Sequence, residues 1–200
     1  MEKGRLEAFT DGVIAVIITI MVLELKAPHE PTLEALLGMW PIFLSYVLSF
    51  VYVAIYWNNH HHMMHVVKHV NGKVMWANLH VLFWLSLFPF MTSWLNETHP
   101  MPASLPTALY GIVLLMAAIA WIPLVRTLVA ANGGEGGALA TALGTDWKAR
   151  SSVIIYLVAI GLAFVAPIVS CVLYVVVAAM WFVPDRRIER RVVNKKMISS

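Results

Sequence analysis

Charge is what this sequence has least of. Of its 200 residues, 12% are Asp, Glu, Lys or Arg, against roughly 25% in a soluble globular chain. That scarcity excludes a disordered segment and a coiled coil with charged flanks. It also excludes a nucleic-acid surface as the source of the basic pI of about 9.1. Cysteine is nearly absent as well. Cys171 stands alone, which removes an intramolecular disulfide and a cysteine-ligated metal. No phosphate loop, Ser-His-Asp order or zinc-protease pattern occurs, so neither an enzyme nor a bound cofactor is expected. What the sequence does have is apolar: 60% of residues, with a mean hydropathy of +0.76. That is the composition of an integral membrane protein whose surroundings are lipid. At roughly 20 residues per span, the length allows at most about six or seven helices.

Charged residues punctuate the apolar runs. The first run, 12–23, lies between Asp11 and Glu24, so a spanning helix must extend over about 6–26 and carry Asp11 inside it. The next apolar bodies give spans over 35–60, 73–95 and 104–130. The Gly-rich stretch from Asn132 to Gly137 then reads as a flexible loop. The last run, 151–184, holds 34 residues. As one helix it would measure roughly 50 Å, too long for a hydrocarbon core of about 30 Å. Pro167 divides it into two short spans, 149–166 and 168–184, joined by a hairpin. The reading is an all-α integral membrane domain over 1–184 with six transmembrane helices, followed by a basic tail at 185–200.

With six spans, both termini share one side of the membrane. Thirteen of the fourteen Lys and Arg residues fall on that side, and only Lys26 lies opposite. The positive-inside rule makes that side cytoplasmic. The expectation is a multi-pass protein of the cytoplasmic membrane, both ends inside, with no cleaved leader. The outer loops hold Glu24, Glu30, Glu34 and Glu97, an acidic exterior that attracts cations at long range.

The first helix carries the most information. An ionisable group within a span is costly and needs a polar partner or a watered surface. Asp11 would lie about one turn inside the cytoplasmic boundary. Arg5 is six positions away and not on its face, so its partners are sought on other helices. Arg5-x-x-x-Phe9-Thr10-Asp11, followed by a β-branched run, resembles the Arg-x-x-x-Phe-Ser-Asp signature of the transmembrane-protein-175 family. These are endolysosomal and prokaryotic potassium channels. Trp57-Asn-Asn-His60 is similar to the family's Trp-x-x-His, and Asn78 followed by Phe88-Pro89-Phe90 is similar to its Asn and Pro-Phe pair. Thr10 replaces the signature serine and keeps the hydroxyl.

The resemblance implies a homotetramer around a central pore lined by helix one, with potassium as the permeant ion. It implies a pore without a carbonyl filter, and no Thr-Val-Gly-Tyr-Gly loop occurs here. The family's pore isoleucine falls on Val16, a smaller side chain. Ile20 and Leu23 continue that face at helical spacing. Rings of Val16, Ile20 and Leu23 would then form a hydrophobic constriction that gates by dewetting. Thr19 matches a threonine linked with selectivity, and Ala15 replaces a serine found in some members. By periodicity alone, the same stripe reads as an ordinary helix or lipid contact.

Trp57, His60 and Asn78 share the membrane depth of Asp11. An indole, an imidazole and a carboxamide can all donate to a carboxylate. Arg5, Phe9, Thr10 and Asp11 are therefore expected to support the pore helix rather than to hold ions. His60 to His69 forms a separate cluster. His61 and His65 lie four apart, as do His65 and His69, a spacing that suits zinc or nickel. No carboxylate stands nearby in sequence, so the blander reading is an interfacial helix end. A proton- or metal-coupled secondary transporter using Asp11 and the His60–His69 cluster is the alternative function. Gly111 and Gly161 are expected to permit close helix packing.

Overall fold

The computed structural model describes residues 2–99, 101–143 and 147–182; the expected tail at 185–200 lies outside them. Nine α-helices lie among these residues, with no strand: α1 (Lys3–Leu23), α2 (Leu33–Gly38), α3 (Trp40–Val66), α4 (Gly72–Leu85), α5 (Phe88–Glu97), α6 (Ser104–Ala131), α7 (Ala138–Leu143), α8 (Trp147–Leu162) and α9 (Pro167–Phe182). Four stretches are long and apolar enough to cross a membrane: α1, α3, the α4–α5 pair and α6. The apolar α9 is shorter.

Helix breaks follow local chemistry. The span expected at 35–60 is displaced: Met39 separates α2 from α3, and Pro41 sits in the first turn of α3, where its missing N–H costs nothing. α3 then runs on through the histidines to Val66. At 27 residues it is about 40 Å long, so its histidine end projects beyond a hydrocarbon core of about 30 Å. The span expected at 73–95 is two helices. Pro89 cannot donate to Leu85, so the chain breaks at Ser86 and Leu87 before α5 begins. The last apolar run is interrupted at residues 163–166, just before Pro167 starts α9.

α6 is the hub. It packs against α4, α5, α8 and α9, and its middle is buried from Tyr110 to Ala120 on the inward faces. Lipid is as apolar as a leucine side chain, so close packing and hydrogen bonds must hold the helices together. Gly111 is one such device: a Cβ there would collide with the Tyr174 hydroxyl. That hydroxyl donates to the Thr107 carbonyl at 3.1 Å. Gly161 has open space around its Cβ position and does not serve the packing role expected of it. Ser49 lies within 2.7 Å of Thr92 and 3.0 Å of the Tyr110 hydroxyl. Tyr52 donates to the Tyr174 carbonyl at 2.6 Å.

Contacts at both ends tie the helices of the bundle together. At one end, Asn132 after α6 accepts from the backbone N–H groups of Lys68 and His69 at 2.7 and 2.9 Å. At the other, Ser93 of α5 donates to Glu24 at 3.1 Å, and Lys26 pairs with Glu97 at 3.6 Å. The Gly-rich segment is a defined turn rather than a loose loop. Gly133 has φ 98°, a conformation L-residues rarely adopt, and Gly134 to Gly136 form a 3-10 turn.

Candidate functional site

α1 is two-sided. Leu6, Thr10, Ile14, Ile17 and Met21 are buried where the helix packs on α3, α4 and α5. The opposite half has no partner among the described residues of the subunit. Val16 is 57% exposed, Ile20 43% and Leu23 73%, and Arg5, Ala8, Gly12, Ala15 and Thr19 share that side. A Cβ on Gly12 would meet nothing. The Thr19 hydroxyl donates to the Ala15 carbonyl at 2.8 Å. Its proton is thus committed to the helix, and its oxygen lone pairs remain available on the open face.

The polar groups at the basic end of α1 divide into two arrangements. The Trp57 indole N–H donates to Asp11 Oδ1 at 2.9 Å. Asn78 does not reach Asp11; its Nδ2 donates to the Thr10 hydroxyl at 2.8 Å, in a buried position. His60 is buried as well, yet its Nε2 has no hydrogen-bond partner. The expected convergence of three donors on Asp11 therefore reduces to one. The reason is rotational: Thr10 points inward between α3 and α4, whereas Asp11, 100° further round, lies on the flank and stays exposed. Arg5 and Phe9 are exposed, and Arg5 makes no ion pair among the described residues.

The histidine cluster also resolves differently from its sequence spacing. α3 ends at Val66 because Val67 is extended, at φ −71° and ψ 133°. His69 is held in the following loop by Asn132, so His65 and His69 are not helical neighbours. His61 and His65 remain one turn apart, with ring centroids 4.3 Å apart, and His61 stacks on Trp57 at 5.5 Å. Contrary to the sequence reading, a carboxylate is near. Glu7 of α1 brings an oxygen within 4.8 Å of a ring nitrogen of each. The signal for it was available, since Glu7 lies four residues before Asp11 and so on the same flank.

Within the bundle, the buried polar residues are Thr10, Ser49, His60, Asn78, Thr92, Thr107, Ser152 and Ser170. No carboxylate is among them in the described residues. A cavity of about 40 Å³ lies between α3, α6, α8 and α9, with aromatic side chains such as Tyr56, Trp121 and Trp181 forming half of its wall. It has room for little more than water.

The model for the family "Endosomal/lysosomal potassium channel TMEM175" matches residues 5–89. A potassium channel of Chryseobacterium sp. (strain P1-3) is 48% identical over 190 residues, covering 95% of this chain and 97% of that protein. A potassium channel of Streptomyces collinus is 35% identical over 136 residues, covering 63% of this chain and 66% of that protein. Among solved structures, a lysosomal potassium-selective channel TMEM175 homolog from Chamaesiphon minutus is similar with a TM-score of 0.75. It is 29% identical and covers 90% of this chain and 95% of its own.

Proposed function

Because this chain belongs to the TMEM175 family of ion channels, we propose that it forms a potassium-permeable pore favouring potassium over sodium, as a homotetramer in the bacterial cytoplasmic membrane. Each subunit crosses six times, through α1, α3, α4–α5, α6, α8 and α9, within residues 1–184. Both termini are cytoplasmic, with the basic tail at 185–200 on that side. The first helices of four subunits surround the axis.

One observation carries this reading: an apolar helix packs one half of its surface inside the subunit and leaves Val16, Ile20 and Leu23 exposed, without partners among the described residues. Lipid alone asks for no small residues on such a face, yet Ala8, Gly12 and Ala15 lie along it. Small residues let neighbouring helices approach closely. Symmetry then brings four copies of each outward side chain to one level.

The mechanism follows from solvation. A ring of four aliphatic side chains expels water when narrow and blocks ions without touching them. Rotation or tilt of α1 widens the ring until an ion passes with part of its hydration shell. Potassium gives up water more readily than sodium. Thr19 offers hydroxyl oxygens whose protons are already engaged with Ala15, so they face a cation as acceptors. On this reading Asp11 and Thr10 hold α1 to α3 and α4, rather than binding the ion. The coupled-transporter alternative, which uses Asp11 and the His60–His69 cluster, is weaker: Asp11 is bonded to Trp57 at an exposed flank, and His69 lies in a loop outside the histidine row.

The test is reconstitution in a planar bilayer with unequal potassium and sodium. The expected reversal potential lies toward the potassium equilibrium value, with discrete single-channel steps. Ile20→Ala and Leu23→Ala each raise the current several-fold, and Thr19→Val moves the reversal potential toward zero. Saturating flux that requires a counter-ion gradient would refute the channel.

A further inference from the structure

Glu7 sits on the flank of α1 that faces α3, one turn before Asp11. Asp11 is bonded to Trp57, whereas Glu7 has no hydrogen bond or ion pair among the described residues. Its carboxylate and one ring nitrogen each of His61 and His65 lie within 4.8 Å of one another. We propose that Glu7, His61 and His65 form a binding site for a divalent transition-metal ion of the zinc class, bridging α1 and α3.

The donor set selects the ion. Two imidazoles and one carboxylate suit zinc, nickel or copper; calcium and magnesium require mostly oxygen donors. Tetrahedral zinc with bonds of about 2.0–2.1 Å places its donors roughly 3.3 Å apart. Since the donors already lie within 4.8 Å of one another, bringing them to that spacing means closing each gap by at most about 1.5 Å. Three protein ligands leave the fourth position to water. Glu7 and His61 are half-buried and His65 is exposed, which gives the ion a path in from the aqueous end of α3. The two histidines are already a turn apart on one helix, and stacking on Trp57 restrains the His61 ring. Little side-chain freedom is left to lose there.

An ion in this site fastens α1 to α3 beside the Asp11–Trp57 hydrogen bond. If α1 must rotate or tilt for conduction, bound metal holds it in its resting contact; only this consequence rests on the channel reading.

The experiment uses the full chain purified without a polyhistidine tag and titrated with zinc in a calorimeter. The expected result is one zinc per chain. Changes outside the ligand set of a metal site already cost roughly 10–100-fold in affinity. Glu7→Gln, His61→Gln and His65→Gln should therefore each weaken binding by at least about tenfold. His62→Gln, one residue outside the cluster, leaves it unchanged. Unaltered gel-filtration and melting profiles of Glu7→Gln separate ligand loss from misfolding. No binding, or binding indifferent to the double variant His61→Gln/His65→Gln, overturns the site. In the bilayer, zinc should lower potassium current in the parent protein and not in that double variant. Bound zinc without effect on a measurable current overturns the clamp. Zinc binding in a protein that carries no current at all supports the site and counts against the channel.

Discussion

Thr10 and Asp11 are neighbours in sequence with different work to do. Thr10 is 1% exposed and receives the Asn78 carboxamide in the interior; Asp11 reaches sideways to Trp57. Loss of the Thr10 hydroxyl strands the Asn78 N–H where water cannot reach it. A buried donor without a partner costs about 1–3 kcal/mol, and interhelical hydrogen bonds in membranes fall at the lower end of such scales. Thr10→Val is therefore expected to lower stability by about 1–2 kcal/mol in a denaturant titration in detergent. Thr10→Ser, which restores the oxygen, should recover most of that loss. Removing both partners with Thr10→Val/Asn78→Leu should cost less than the sum of the single changes. Additive costs would show that the pair does not interact. The hydroxyl at this position was legible in the signature, but its partner was not. Asn78 lies 68 residues away, and only the rotation of α1 decides whether it meets residue 10 or residue 11.

At the scale of elements, the bundle depends on where helices can approach. α6 and α9 cross with the Tyr174 ring against the bare backbone of Gly111. Any side chain there must displace a buried tyrosine that also bonds Thr107. Overpacking a tight interior costs about 1–3 kcal/mol. Gly111→Val is expected to cost at least that and to reduce the yield of folded protein. Gly161→Ala, on α8 with open space around it, should leave the melting temperature unchanged or raise it. Equal effects at both positions would contradict this packing. Both glycines look alike in sequence, each embedded in an apolar run. What distinguishes them is a residue on a distant helix. Helix breaks are legible only in part: Pro167 marks one in the chain, whereas the break before Pro89 falls inside the span expected at 73–95. Pro41, Pro89 and Pro167 each stand in the first turn of a helix, where the missing N–H needs no partner, whereas Pro123 lies inside α6 without ending it.

At the scale of the whole molecule, the prediction concerns how chains meet. Cys171 is the single native cysteine, so Cys171→Ser clears the background. In that background, Leu23→Cys on the open face of α1 is expected to form disulfide-linked dimers when oxidised in membranes. Ile168→Cys, 67% exposed at the start of α9, should remain monomeric. A disulfide requires Cα atoms within about 7 Å, so cross-linking reports proximity between copies and not mere exposure. Linkage through residue 168 and none through residue 23 would place the wrong helix at the axis. The stripe of Val16, Ile20 and Leu23 is visible to anyone counting helical turns. Its lack of a partner inside the subunit becomes evident only once α3, α4 and α5 are seen to cover the other half.

Composition, charge spacing and proline positions by themselves determined that this chain is a helical membrane protein, that its last apolar run divides at Pro167, and which short motif marks its family. These properties are local: burial in lipid, the sign of a loop and a missing N–H act on the residues that carry them. Tertiary structure alone decided that Asn78 serves Thr10 and not Asp11, and that His69 leaves the histidine row. The first depends on the angle at which α1 is turned against α3 and α4, the second on where α3 stops. A single residue step turns a helix by 100°, so side chains adjacent in sequence meet different neighbours.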